Sequence, residues 1–296
     1  MLRALLSLLL LGSLQANSLE ANMLPSIPTE NDFELGKLIE IKSIPILKEG
    51  KVEPVIYADS AYSLDITSNT TLYTKNEHDK HPIASLTKLM TAYIILEEES
   101  LDDVVTVSRN ATTQEGSKMW LAQGETITVE SLLYGLLIQS GNDAATALAE
   151  FNAGSEENFV EKMNQKAKLL GLNETSFTSA SGIDDQGYST AQDLAHLSMY
   201  LLKNDFVRNI TSLTSATVTG TNGYPTHELT STNQLLGSYL NITGLKTGKT
   251  NGAGECLIAV GKNPVGHEIL TVMLGSEDRF GETKLLLDWI YNSYIW

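Results

Sequence analysis

Strand-like runs stand near both ends of this chain and helical periods fill its middle, so a sheet can form only if distant segments close it. Near the start, 61–66 and 71–73 are strand-like, and Ser68-Asn69-Thr70 between them reads as a hairpin turn. Near the end, 242–247, 255–260 and 268–274 are strand-like, punctuated by Gly248, Gly252, Gly254, Gly261 and Gly266. Between these groups, Leu86, Leu89, Met90 and Tyr93 recur at helical spacing and predict a buried helix over 86–96, stopped by Glu97, Glu98 and Glu99. Residues 101–107 read as a short extended piece. Thr128 caps a helix to Gln139 with Leu132, Leu133, Leu136 and Leu137 on its face, and an alanine-rich helix follows over 143–152. Ser155 opens a third helix, with Glu156 and Glu157 in its first turn and Gly171 at its end. Thr190 caps a helix over 191–202, and a last one runs over 282–294. The expectation is an α+β domain with a helical lobe at about 100–171.

The N-terminus has a different texture. Arg3, the greasy run 4–11, and then Gly12, Ser13 and Ala16 read as a secretory signal over 1–16. Glu20 arrives too early for a comfortable bilayer span. The competing reading is a core helix. Residues 17–50 carry Pro25, Pro28 and Pro45 and read as a linker with one short strand near 39–46, leaving 51–296 as the folded domain. A net charge of −16 makes nucleic acid and an anionic membrane surface poor partners. The single cysteine, Cys256, excludes an intramolecular disulfide; its apolar run reads as a buried strand. The five histidines show no metal-ligand spacing, so no metal is expected.

The chemistry starts at Ser85-Leu86-Thr87-Lys88. Pro82 precedes it, so Ser85 falls at or near the helix N-terminus and Lys88 follows one turn on, on the same face. Free N–H groups at the helix end suit a developing oxyanion. A lysine in an apolar wall has its ammonium form disfavoured and can take the serine proton. Alone, this stretch also fits an ordinary N-cap. Two more motifs follow in order, Ser140-Gly141-Asn142 and Lys246-Thr247-Gly248.

With their flanks, Pro82-Ile83-Ala84 before the first motif, Asp143-Ala144 after the second, Tyr188-Ser189-Thr190-Ala191, and Lys249-Thr250 after the third, these motifs carry a resemblance over about 57–296. The chain resembles the serine D-alanyl-D-alanine carboxypeptidases, the low-molecular-mass penicillin-binding proteins. The resemblance implies a serine β-lactamase/DD-peptidase-like fold, an antiparallel sheet flanked by helices. It implies an exported enzyme, without metal or organic cofactor, that removes the terminal D-Ala of peptidoglycan stem peptides through an acyl-enzyme on Ser85. Lys88 would be the base and Ser140 a proton relay. Asn142, Lys246, Thr247, Gly248, Lys249 and Arg279 would bind substrate, with the oxyanion between the N–H groups of Ser85 and Lys249. In a regular strand Thr247 alternates away from Lys246, yet the resemblance puts its hydroxyl on the substrate carboxylate. Gly248 would leave room for substrate as an added strand. Each residue also has a plainer reading: Ser140-Gly141-Asn142 as a helix–helix turn, Lys246 as a solvated strand-end lysine, Arg279 as a surface residue. A β-lactamase and a non-catalytic wall-peptide binder are the alternatives. No Glu-x-x-x-Asn loop of class A β-lactamases lies between Ser140 and Lys246, so β-lactams are expected to inhibit. Membrane attachment would come only through an uncleaved leader.

Overall fold

The computed structural model describes residues 43–296, so the signal read over 1–16 and most of the linker lie outside the described residues. The linker reading carries one short strand near 39–46. There β1 (Ile46–Leu47) is a strand that pairs with the final residues Tyr294 and Ile295. Next come β2 (Ser60–Asp65), β3 (Thr70–Lys75) and β4 (His81–Pro82). A single 3-10 turn, Ala84–Thr87, leads into α1 (Lys88–Glu98), so Ser85 lies in that turn rather than at the start of the α-helix proper. The lobe holds β5 (Val104–Thr106), α2 (Arg109–Thr113), β6 (Thr126–Thr128), α3 (Val129–Leu137), α4 (Asn142–Ala153) and α5 (Glu156–Leu169). After it come β7 (Tyr188–Ser189), α6 (Ala191–Leu201), α7 (Asp205–Thr211) and the hairpin β8 (Ser215–Thr219) and β9 (Thr226–Thr230). The chain closes with β10 (Ile242–Thr250), β11 (Gly254–Lys262), β12 (Glu268–Ser276), α8 (Arg279–Ser293) and β13 (Tyr294–Ile295).

Five strands form one antiparallel sheet in the order β10-β11-β12-β2-β3, so β12 closes on β2 and joins the two ends of the chain. The first hairpin turns at Asp65, whose carboxylate accepts the N–H groups of Thr67 and Ser68, and at Asn69, with φ of +58°. Caps stand where the sequence puts them: Thr128, Ser155 and Thr190 accept the N–H groups of Ser131, Asn158 and Asp193.

Strand alternation sorts the sheet into two faces. Leu257 and Ala259 join Leu286, Leu287 and Ile290 of α8 in one core. Cys256, Ile258 and Val260 join Leu86, Leu89 and the lobe helices in the other. Residues opposite each other across a ladder share a face. Lys246 pairs with Ile258 and Gly248 with Cys256, so both face the lobe; Thr247 pairs with Leu257 and faces α8. The sheet register therefore decides which motif residues meet the Ser85 turn.

Ile258 is fully buried opposite Lys246. Replacing it with alanine removes a packed side chain from the wall behind the site, and Ile258→Ala should lose about 2–5 kcal/mol of stability in urea denaturation.

Candidate active site

The site forms where the 3-10 turn meets α4, the 180–182 segment and β10. Lys88 is fully buried. Its Nζ lies 2.9 Å from Ser85 Oγ, 2.7 Å from Asn142 Oδ1 and 2.7 Å from the Ser181 carbonyl. Two of these partners can only accept. The Asn142 amide is oriented by its Nδ2, which donates to Glu115 O at 2.6 Å, so Oδ1 faces the lysine. Burial first, and the Lys246 ammonium next, hold Lys88 well below the ordinary lysine range. A neutral amine has two N–H bonds and one lone pair. Asn142 and Ser181 use the N–H bonds, and the lone pair is left for the Ser85 hydroxyl. This is the arrangement of a general base on a nucleophile.

A second pair stands beside the first. Lys246 Nζ donates to Ser140 Oγ at 2.7 Å and to its neighbour's carbonyl, Thr247 O, at 2.9 Å. Burial, and then the Arg279 guanidinium, lower Lys246 to about 7. Ser140 accepts from Lys246, so its own O–H is free to donate into the cleft. Among the described residues no hydrogen bond joins Ser140 to Lys88; Asn142, two residues on, links the 140 turn to the base. Ala84 and Ser140 have φ of +47° and +63°. Such backbone costs about 1–3 kcal/mol per residue. It holds both serines at the ends of sharp turns.

Packing fixes these turns. A Cβ on Gly182 would lie 2.0 Å from Ala84 O, so only glycine lets the 180–182 segment reach Lys88. A Cβ on Gly248 would lie 3.1 Å from both Ser85 N and Ile83 O. Gly248 thus makes room first for the nucleophile turn, which brings β10 against the Ser85 N–H. Asp143 accepts the N–H groups of Met119, Trp120 and Leu121 at 3.0, 2.9 and 3.1 Å, anchoring that loop to the start of α4.

The other expected binding residues lie further out. Thr247 Oγ1 is 2.5 Å from Thr232 Oγ1, and the Thr232 N–H donates to Ile138 O, two residues before Ser140. The Lys249 side chain is exposed and bonds Glu255 at 2.8 Å. Arg279 opens α8 and donates to Gly248 O at 2.6 Å from behind β10, with Nε 3.9 Å from Glu255. It is not a free surface residue. Cys256 is a buried thiol pushed up to about 11 by burial. Among the described residues no group of His, Cys, Asp and Glu could hold a metal ion.

The sequence profile of the D-alanyl-D-alanine carboxypeptidases matches residues 48–278. The chain belongs to that family. It is 37% identical over 245 residues to D-alanyl-D-alanine carboxypeptidase DacF of Bacillus subtilis, covering 80% of this chain and 63% of that one. It is 35% identical over 277 residues to DacD of Escherichia coli, covering 87% and 68%. The chain thus spans 63% and 68% of the length of these two relatives. The solved Streptomyces K15 DD-transpeptidase superposes with a TM-score of 0.75 at 30% identity, covering 81% of this chain and 99% of that one. The carboxypeptidase of Mycobacterium tuberculosis gives the same TM-score, 0.75, at 30% identity and 82% and 95% coverage.

For this family member, sequence reasoning missed Ser181, Glu115, Gly182 and Thr232. Ser181 and Glu115 act through backbone carbonyls, which carry no residue signature. Asp143 directly follows Ser140-Gly141-Asn142, and an acid in a helix's first turn is its only sequence signal.

The two lysines set opposite pH limbs. As a base Lys88 would work only when unprotonated, so acylation at Ser85 should fall as acid protonates it. The Lys246 ammonium that bonds Ser140 is lost above about pH 7. The second-order acylation rate with a β-lactam should therefore rise, then decline through about pH 7. Arg279→Gln removes a cation that pushes Lys246 down and should move the alkaline limb upward. An unmoved limb would contradict this origin.

Proposed function

We propose that the chain is an exported serine DD-carboxypeptidase that releases the terminal D-Ala of peptidoglycan stem peptides. The observation that carries this is the Lys88 amine, whose N–H bonds are engaged by Asn142 and Ser181 and whose third direction meets Ser85. Ser85 Oγ attacks the carbonyl carbon of the D-Ala–D-Ala bond while its proton passes to Lys88. The oxyanion lies between the Ser85 N–H, which β10 adjoins at Gly248, and the Lys249 N–H. The C–N bond then breaks. Ser140, held in place by Lys246, relays the proton from the Lys88 ammonium to the departing amine, so that Lys88 is neutral again and Ser140 keeps its hydroxyl. The Asn142 amide keeps a second N–H for the substrate amide. Lys246, Thr247 and Arg279, on or against β10, are the residues that would bind the substrate carboxylate. Water then hydrolyses the ester with Lys88 again as base. Export rests on the 1–16 signal alone.

Among the described residues no carboxylate is hydrogen-bonded to Ser85 or Lys88, which supports β-lactam as inhibitor over β-lactam as substrate. The Streptomyces K15 relative goes by both carboxypeptidase and DD-transpeptidase names. Both outcomes share an acyl-enzyme and differ in the acceptor.

Intact mass after benzylpenicillin tests the reading. The wild type should gain the mass of one penicillin and keep it for hours, and Ser85→Ala should gain none. Rapid penicillin turnover would favour the β-lactamase, and no wild-type adduct the non-catalytic binder.

A further inference from the structure

Seven non-glycine residues among those described have positive φ. Four are Asn or Asp, which tolerate that backbone. The other three are Ala84, Ser140 and Trp120. The first two shape the catalytic turns. Trp120, at +67°, has no place in the mechanism, yet it carries the same strain on a far bulkier side chain.

The strain is held by an unusual number of fixed contacts. Asp143 takes the N–H groups on both sides of Trp120 and its own. The Met119 carbonyl accepts from His227 Nδ1 at 2.9 Å, and His227 Nε2 lies 2.7 Å from Glu125 Oε1. Both of these side chains are buried. Glu125 Oε2 accepts the Ala122 N–H at 2.9 Å. All this rigid support serves a side chain that is 75% exposed, so core packing does not explain it. The loop lies at the cleft. The Ser117 carbonyl accepts the Asn142 N–H at 2.7 Å, and a Cβ on Gly141 would lie 3.3 Å from Met119 N.

The surroundings indicate what the ring would meet. Tyr224, 82% exposed, sits in the hairpin turn three residues before His227. Thr221 in that turn donates its N–H to Thr126 O at 2.8 Å, and the two threonine hydroxyls are 2.6 Å apart. Lys118 Nζ lies 5.8 Å from the indole centroid and donates to Thr112 O at 3.3 Å. A flat, exposed aromatic face on a rigid base suits stacking on the apolar face of a sugar ring. We propose that Trp120 is a stacking platform for a pyranose ring of the glycan that bears the stem peptide. The platform orients polymeric substrate at the lip of the cleft. This rests on the carboxypeptidase reading for its substrate, but the binding arm of its test does not.

The test compares a disaccharide-pentapeptide with the sugar-free pentapeptide. Binding is measured on the Ser85→Ala protein and turnover on the active one. Trp120→Ala should weaken binding of the sugar-bearing ligand, and raise its KM, about tenfold, with kcat and the sugar-free ligand changed less than about twofold. Trp120→Tyr should restore most of the loss. Equal losses on both ligands, or no loss on either, would overturn the platform. A failure of the carboxypeptidase reading would show separately, as absent turnover of both peptides by the wild type with the sugar-dependent binding difference intact.

Discussion

A lysine amine with no water around it cannot stay charged cheaply, and the site follows from how this chain satisfies that amine while keeping it neutral. Three segments far apart in sequence must converge on Lys88 Nζ: the Ser85 turn, the first residue of α4 and the 180–182 segment. The strained turn at Ala84, the glycine at 182 and the Asn142 amide fixed by Glu115 are the structural conditions for that meeting. Loss of any one would leave a buried polar group without its partner, a penalty larger than the bond itself contributes.

The sheet supplies the electrostatic half. Burial is the main reason that Lys246 and Lys88 lie below the ordinary lysine range, and a neighbouring cation adds to it in each case, Arg279 on Lys246 and Lys246 on Lys88. A proton-free lysine and a permanent guanidinium in one site would, on the proposed reading, attract a carboxylate while the base stays unprotonated. Alternation along β10 makes this possible. Lys246 and Gly248 face the lobe, so one reaches Ser140 and the other lets the strand close on Ser85.

Much of this was legible in the sequence because it rests on periodicity and on side-chain chemistry. The caps at Thr128, Ser155 and Thr190, the sheet strands and the three motifs all carry local signatures. The hairpin β8–β9 and the helix α7 did not stand out, because Ser and Thr dominate that stretch and give weak alternation. Ser181 and Glu115 were invisible, since any residue offers the same carbonyl. The 3-10 geometry at Ser85 and the Arg279 contact with Gly248 depend on tertiary packing rather than local pattern. The pairing of β1 with β13 was not legible, because the partner is the other end of the chain.

Neutron diffraction from deuterated crystals at neutral pH tests the neutral base most directly. The account predicts two deuterons on Lys88 Nζ, aimed at Asn142 Oδ1 and Ser181 O, and a Ser85 deuteron pointing at the nitrogen. Three deuterons on Nζ, one of them directed at Ser85 Oγ, would contradict it.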